Sequence, residues 1–175
     1  MNDWFEILKY SLPSLFFLLG VLGMLYYFSK RDLDKTKLDL LIGNQKLLTP
    51  IRLQSYERIS LLLERIHPQI LIQRVKNPKV NSGQMKALLI DSIKNEYDHN
   101  ISQQIYVSSN LWGAVTNSKE QIIRTVNLTS SEVNPKDNSF VFLKLFLEKY
   151  NELDTQPIET SREILKREVR QYFSI

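Results

Sequence analysis

The chain has 175 residues, 43% of them apolar and 24% charged, with a formal net charge of +4. That is room for one ordinary domain plus an accessory segment, and five Gly and six Pro exclude a collagen-like, linker-like or low-complexity chain. Zero Cys excludes disulfide staples, thiolate metal sites, iron–sulfur clusters and cysteine catalysis, and two His exclude a multi-histidine metal centre.

The first element is apolar. From Tyr10 to Ser29 the chain reads YSLPSLFFLLGVLGMLYYFS, with no charge. At about 1.5 Å per residue such a helix spans roughly 30 Å, the thickness of a bilayer's hydrocarbon core. Trp4 and Tyr10 lie near one end, and Tyr26 and Tyr27 at the other, as amphipathic rings flank a membrane. Pro13 falls in the first turn of the run, where its missing N–H does least harm. A cleaved signal peptide fits less well. Asp3 and Glu6 precede the run against Lys9 alone, no small-residue cleavage site follows it, and Lys30-Arg31 close it at once. Residues 1–29 are therefore expected to form a single transmembrane anchor. Lys30, Arg31, Lys35 and Lys37 outweigh Lys9, so the N-terminus is expected outside and residues 30–175 in the cytosol, at the inner membrane. The lack of cysteine suits a reducing compartment. Gly20 and Gly23 are three apart, not the four of a close-packed helix seam.

Residues 30–48 (KRDLDKTKLDLLIGNQKLL) mix alternating charges with leucines and read as a helical stalk. Thr49-Pro50, a capping residue and a proline suited to a first helical position, open the domain proper, 49–175. Its first helix runs from Pro50 to His67, with Tyr56, Ile59, Leu63 and Ile66 at 3–4 spacing, and Pro68 stops it. Gln69 to Val75 makes one or two helical turns, followed by a loop at Asn77-Pro78 and Asn81-Ser82-Gly83. Ser82 caps a helix carrying Leu89, Ile93, Tyr97 and Ile101 as far as about Val107. Ser108 or Ser109 caps the next, with Trp112, Val115, Lys119, Ile122 and Val126. A polar loop, Thr129 to Ser139, leads into Phe140–Glu152, and Thr155 and Pro157 start the last helix. No stretch alternates over a strand length with hairpin turns. The expected fold is all-α: an anchor, a stalk and a compact helical bundle of about 125 residues, large enough for its own core.

Chemistry is sparse. Glu96-Tyr97-Asp98-His99-Asn100 is the segment most like a site, because carboxylates beside an imidazole suit metal binding or acid–base work. Glu64–His67 and Glu96–His99 are both Glu-x-x-His, the unit of carboxylate-bridged di-metal bundles, which makes a di-metal enzyme one alternative. Against it, His67 stands before Pro68 at a helix end, where a histidine ordinarily meets the helix dipole, and no pattern marks the further carboxylates. There is no P-loop, no G-x-G-x-x-G and no G-x-S-x-G. The reading is a non-enzyme without cofactor or metal. Arg65, Arg74, Lys76, Lys79 and Lys86 come with no acidic residue between Arg65 and Asp91, so Arg74, Lys76, Lys79 and Lys86 are candidates to face anionic lipid, a second alternative function. With an excess of only +4 and no recognition motif, nucleic acid is not an expected partner. Glu159, Arg162, Glu163, Lys166, Arg167, Glu168 and Arg170 read as a solvated face of the last helix, and Trp112 and the Phe140–Phe146 cluster as core.

Two stretches, LQSYERISLLLERIHP (Leu53 to Pro68) and EYDHNISQQIYVSSNLW (Glu96 to Trp112), carry a resemblance. They resemble an uncharacterised family of small bacterial single-pass membrane proteins, over residues 1–125 and more weakly beyond. The resemblance implies an N-terminal hydrophobic helix before a helical cytosolic region and carries no activity to transfer. It draws attention to Arg52, Gln54, Tyr56, Glu57, Arg58, Glu64, Arg65, His99, Asn100, Gln103 and Gln104. Glu57, Arg58, Glu64 and Arg65 are expected to meet the polar face His99–Gln104 in a network that fixes helix register or forms an interface. The expected function is a membrane-anchored interaction or scaffold subunit with a protein partner.

Overall fold

The structure, a computed structural model, describes residues 3–173. Of these, the side chains of residues 3–11, 13, 14, 33, 34, 36, 38, 41 and 44 lie outside the description. Among the described residues six α-helices follow one another: α1 (Asp3–Ile66), α2 (Pro68–Val75), α3 (Ser82–His99), α4 (Ser109–Glu132), α5 (Ser139–Asn151) and α6 (Pro157–Phe173). A 3₁₀ turn, Ile101–Ile105, joins α3 to α4. Apart from one isolated antiparallel bridge, Asn81 to Asn138, the described residues contain no extended pairing, so the fold is all-α.

The chain divides into two units, Met1–Thr49 and Pro50–Ile175. The first is helical throughout its described residues, and its side chains from Leu15 to Asp32 are all exposed. Among the described residues no helix is long and apolar enough to cross a membrane, so the fold by itself does not support the expected transmembrane anchor. The uncharged run from Tyr10 begins among side chains outside the description. A second expectation is corrected nearby. Thr49-Pro50 does not start a helix; α1 continues through it. Proline there costs one backbone hydrogen bond, and the helix-forming residues on both sides outweigh that loss.

The second unit is a bundle around one core. α1 contributes Tyr56, Ile59, Leu62, Leu63 and Ile66, a stripe that returns every three to four residues. α3 adds Met85, Leu89, Ile93 and Tyr97, and α4 adds Leu111, Val115, Ile122 and Val126. α5 supplies Phe142, Leu143, Phe146 and Tyr150, and α6 Ile158 and Leu165. The expected aromatic cluster is trimmed at its start, because Phe140 and Val141 in the first turn of α5 are exposed. α4 packs on α6, where small side chains meet. The Ser118 and Ser161 hydroxyls lie 2.8 Å apart, and Ser118 Oγ also donates to the Pro157 carbonyl at 2.8 Å. Both serines are buried, and this pairing satisfies them.

Two loops are stitched together beside the bundle. Asn81 and Gln84 form a reciprocal capping box at the start of α3. Ser82 N–H donates to Asp137 O, Gly83 N–H donates to Pro135 O, and Ser82 Oγ donates to both Asp137 O and Asn138 O. Ser139 Oγ donates to Asn77 O. The loop 76–81 is thereby fixed to the loop 133–138.

Candidate functional site

A groove of about 530 Å³ lies in the second unit, between the end of α1, α2 and α3. Its charged floor is built from three elements. Glu96, on α3, presents a nearly buried carboxylate, and Arg65 Nη1 on α1 donates to both its oxygens at 3.2 and 3.4 Å. Arg74, in the last turn of α2, approaches the same carboxylate at 3.6 Å and also donates to Arg65 O. Two guanidinium groups therefore share one carboxylate, and about half of each remains open to solvent. Each guanidinium carries five donors, so hydrogen-bonding capacity is left over. Asp91, Ser92, Asn95 and His99 line the α3 side, while Val75 and Leu88 give apolar walls. The groove can hold a chain segment that brings an acidic side chain to the arginines and an apolar one to Leu88.

Of the sequence-derived network, Arg65 and His99 come to one groove, and no hydrogen bond or ion pair among the described residues joins Glu57, Arg58, Glu64 or Arg65 to His99–Gln104. Arg65 and His99 line this groove, and Asn100, buried, donates from Nδ2 to Glu96 O at 2.8 Å and so closes the end of α3. Gln103 is buried and donates to Ser102 Oγ, and Gln104 is exposed. Glu57 and Arg58 are exposed on α1. Glu64 turns away to α6, where Arg162 bridges it to Glu159, the latter at 2.7 Å. Of the basic candidates, Arg74 is committed to Glu96. Lys76 and Lys79 are exposed on the stitched loop, and Lys86 is half-buried on α3. The two Glu-x-x-His units engage different partners, since Glu64 meets Arg162 and Glu96 meets Arg65 and Arg74. Among the described residues no group of three or more His, Asp or Glu gathers as a metal site.

His67 belongs to a separate cluster. Its ring stands edge-on to Tyr150 at 5.9 Å. Burial first, then the Arg162 guanidinium, holds the imidazole below its ordinary value. The Tyr150 hydroxyl is buried without a well-formed hydrogen bond, and burial pushes it up to about 12 despite a partial offset from the Ile158 backbone.

A third site escaped the sequence reading. Glu168, assigned there to a solvated face, is 7% exposed. Its carboxylate accepts from Tyr56 Oη at 3.1 Å, from Ser108 N at 2.9 Å and from Ser108 Oγ. Ser108 Oγ also accepts from Leu111 N, so a buried anion sits against the start of α4, where free N–H groups favour it. Burial and then the Glu168 charge push the Tyr56 hydroxyl well above the ordinary tyrosine value. A signal existed, because Glu168 continues the buried register Ile158, Ser161, Leu165.

No curated protein and no solved structure matches the chain. A family match does exist, and at residues 2–172 it reaches well past the stretch on which the resemblance was seen. With nearly its whole length matched, the chain belongs to a family of unknown function, DUF7935.

Proposed function

We propose that the protein is a single-pass anchor carrying a cytosolic helical domain, and that this domain serves as a docking or scaffold subunit for a protein partner. One observation carries the reading. Leu15, Phe16, Phe17, Leu18 and Leu19 are consecutive and all exposed, and Val21, Leu22 and Met24 to Phe28 continue the pattern. Consecutive residues turn about 100°, so apolar side chains face every direction around this helix, as lipid requires and water disfavours. The flanking Lys30 and Arg31 support the inward orientation. The Arg65–Glu96–Arg74 groove supports the docking role, because it offers unused donors beside an apolar wall.

The absence of native cysteine allows one clean experiment. Single-cysteine variants Ser92→Cys, in the groove, and Asn127→Cys, on the exposed side of α4, are made in the full chain. An impermeant maleimide carrying a photoreactive group is expected to label both in inverted membrane vesicles and neither in right-side-out ones. On illumination, Ser92→Cys is expected to yield a discrete protein adduct and Asn127→Cys none. Labelling from outside, or recovery in the soluble fraction, overturns the anchor reading; equal adducts from both positions overturn the docking site. Lys76 and Lys79 form no ion pair among the described residues, which favours contact with anionic headgroups as a second reading. In that case Lys79→Cys crosslinks to lipid in the same assay.

A further inference from the structure

The Glu168 carboxylate is buried, and among the described residues no ion pair reaches it. A buried anion is costly unless a cation or hydrogen bonds compensate it. Here the compensation stops one bond short. An ionised carboxylate offers about four acceptor positions. Oε1 fills two, with Tyr56 Oη and Ser108 N–H, and Oε2 fills one, with Ser108 Oγ. A position on Oε2 is left over. Glu168 also lines a cleft of about 340 Å³ between the start of α4 and the second half of α6. That volume is at the small end of ligand pockets and suits a small molecule better than a chain segment. Opposite charge borders the same cleft. Arg167 lines it, is exposed, and joins none of the ion pairs among the described residues. Ile164 and Tyr172 supply apolar surface, and the Arg52 guanidinium, 4.3 Å over the Tyr172 ring, steadies that wall.

We infer that this cleft binds a free α-amino acid with an apolar side chain. The ligand's ammonium donates to Glu168 Oε2, its carboxylate accepts from the Arg167 guanidinium, and its side chain lies against Ile164 and Tyr172. The choice follows from charge. A simple cation would meet Arg167, and a simple anion would meet Glu168; a short zwitterion uses both. Consecutive Cα atoms are about 3.8 Å apart, so two neighbouring residues on α6 can reach the two ends of so small a molecule. The Asn110 and Gln171 amides, at the same cleft, each carry donors and an acceptor and can serve either end. Tyr56 and Ser108 hold the carboxylate in place before any ligand arrives, so binding has little left to order. The site goes beyond the docking reading. It shares no lining residue with the groove at Arg65 and Arg74, and it does not depend on the anchor.

The test is equilibrium dialysis of the purified full chain, in non-ionic detergent, against L-leucine, L-isoleucine, L-methionine and L-phenylalanine in turn. At least one of these probes is expected to bind saturably and in equimolar amount. The methyl ester of that amino acid lacks the carboxylate, and its N-acetyl form lacks the ammonium. Each derivative is expected to bind at least about tenfold more weakly, because each loses a charge-assisted pair. Arg167→Gln alters an exposed side chain and leaves the contacts of Glu168 in place. It is expected to weaken the amino acid about tenfold and leave the ester nearly unchanged, so that the gap between the two closes. A variant that merely loosened α6 would weaken both alike, and circular dichroism would show the loss of helix. Failure of all four probes to bind overturns the site. So does a derivative that binds as tightly as its parent amino acid, or a gap that Arg167→Gln leaves as wide as before.

Discussion

His67 shows how one side chain ties pH to stability. It sits between α1 and α2, edge-on to Tyr150, with burial and then Arg162 disfavouring its charged form, while Glu159 and Glu64 pull weakly the other way. Folding therefore prefers the neutral imidazole. Its contribution is complete above the unfolded value of 6.5 and is lost as pH falls through the lower folded value. His67→Phe keeps an aromatic edge against Tyr150 and removes the proton. The urea midpoint of the wild type is expected to drop more than that of His67→Phe between about pH 7.5 and about pH 5; equal drops exclude a role for His67. The buried tyrosines act at the opposite limit. Tyr150 is raised to about 12, so its contribution holds below the ordinary value of 10.0 and disappears as pH rises toward the folded value. Glu168 marks what residue types alone conceal. Position on the buried face of α6 outweighed its charge, and the burial is supported by three donors that lie 60 and 112 residues away in the chain. The spacing was visible beforehand; the donors were not.

At the scale of elements, caps and turns decided where the sequence reading held. The apolar spacing of Tyr56, Ile59, Leu63 and Ile66 reads directly as the buried side of α1, and Leu89, Ile93 and Tyr97 as that of α3. Ile101 was expected to extend α3 and does not. Asn100 ends the helix by donating to Glu96 O, the chain turns into a 3₁₀ segment, and Ile101 is left exposed. A local hydrogen bond thus defeats a periodic pattern. The polar stretch from Thr129 was expected to be loop, yet α4 runs to Glu132, because Thr125 and Thr129 satisfy their hydroxyls on the preceding turn. The stitching of loop 76–81 to loop 133–138 is long-range and carries no local signature. Gly83 lies close against the second loop, since a Cβ there would lie 3.3 Å from Pro135 Cβ and 3.4 Å from Pro135 O. Gly83→Val must push the second loop away or strain the start of α3, at an expected cost of about 1–3 kcal/mol. Gly83→Ala is expected to cost less. Denaturant unfolding of the two variants checks the order, and an unaffected Gly83→Val would mean that the loops separate freely.

For the molecule as a whole, the division at Thr49 and Pro50 makes a claim about what folds with what. Among the described residues, every buried apolar side chain of the core, from Tyr56 to Leu165, belongs to the second unit. About 125 residues suffice for an independent core. Residues 50–175 alone are therefore expected to unfold cooperatively, without detergent, at a midpoint within a few degrees of the full chain, because truncation removes no side chain of that core. The full chain is expected to need detergent, since its exposed leucines and phenylalanines between Leu15 and Phe28 would otherwise associate. Circular dichroism and light scattering read both properties. A fragment that fails to fold would assign the earlier part of α1 a role in the bundle.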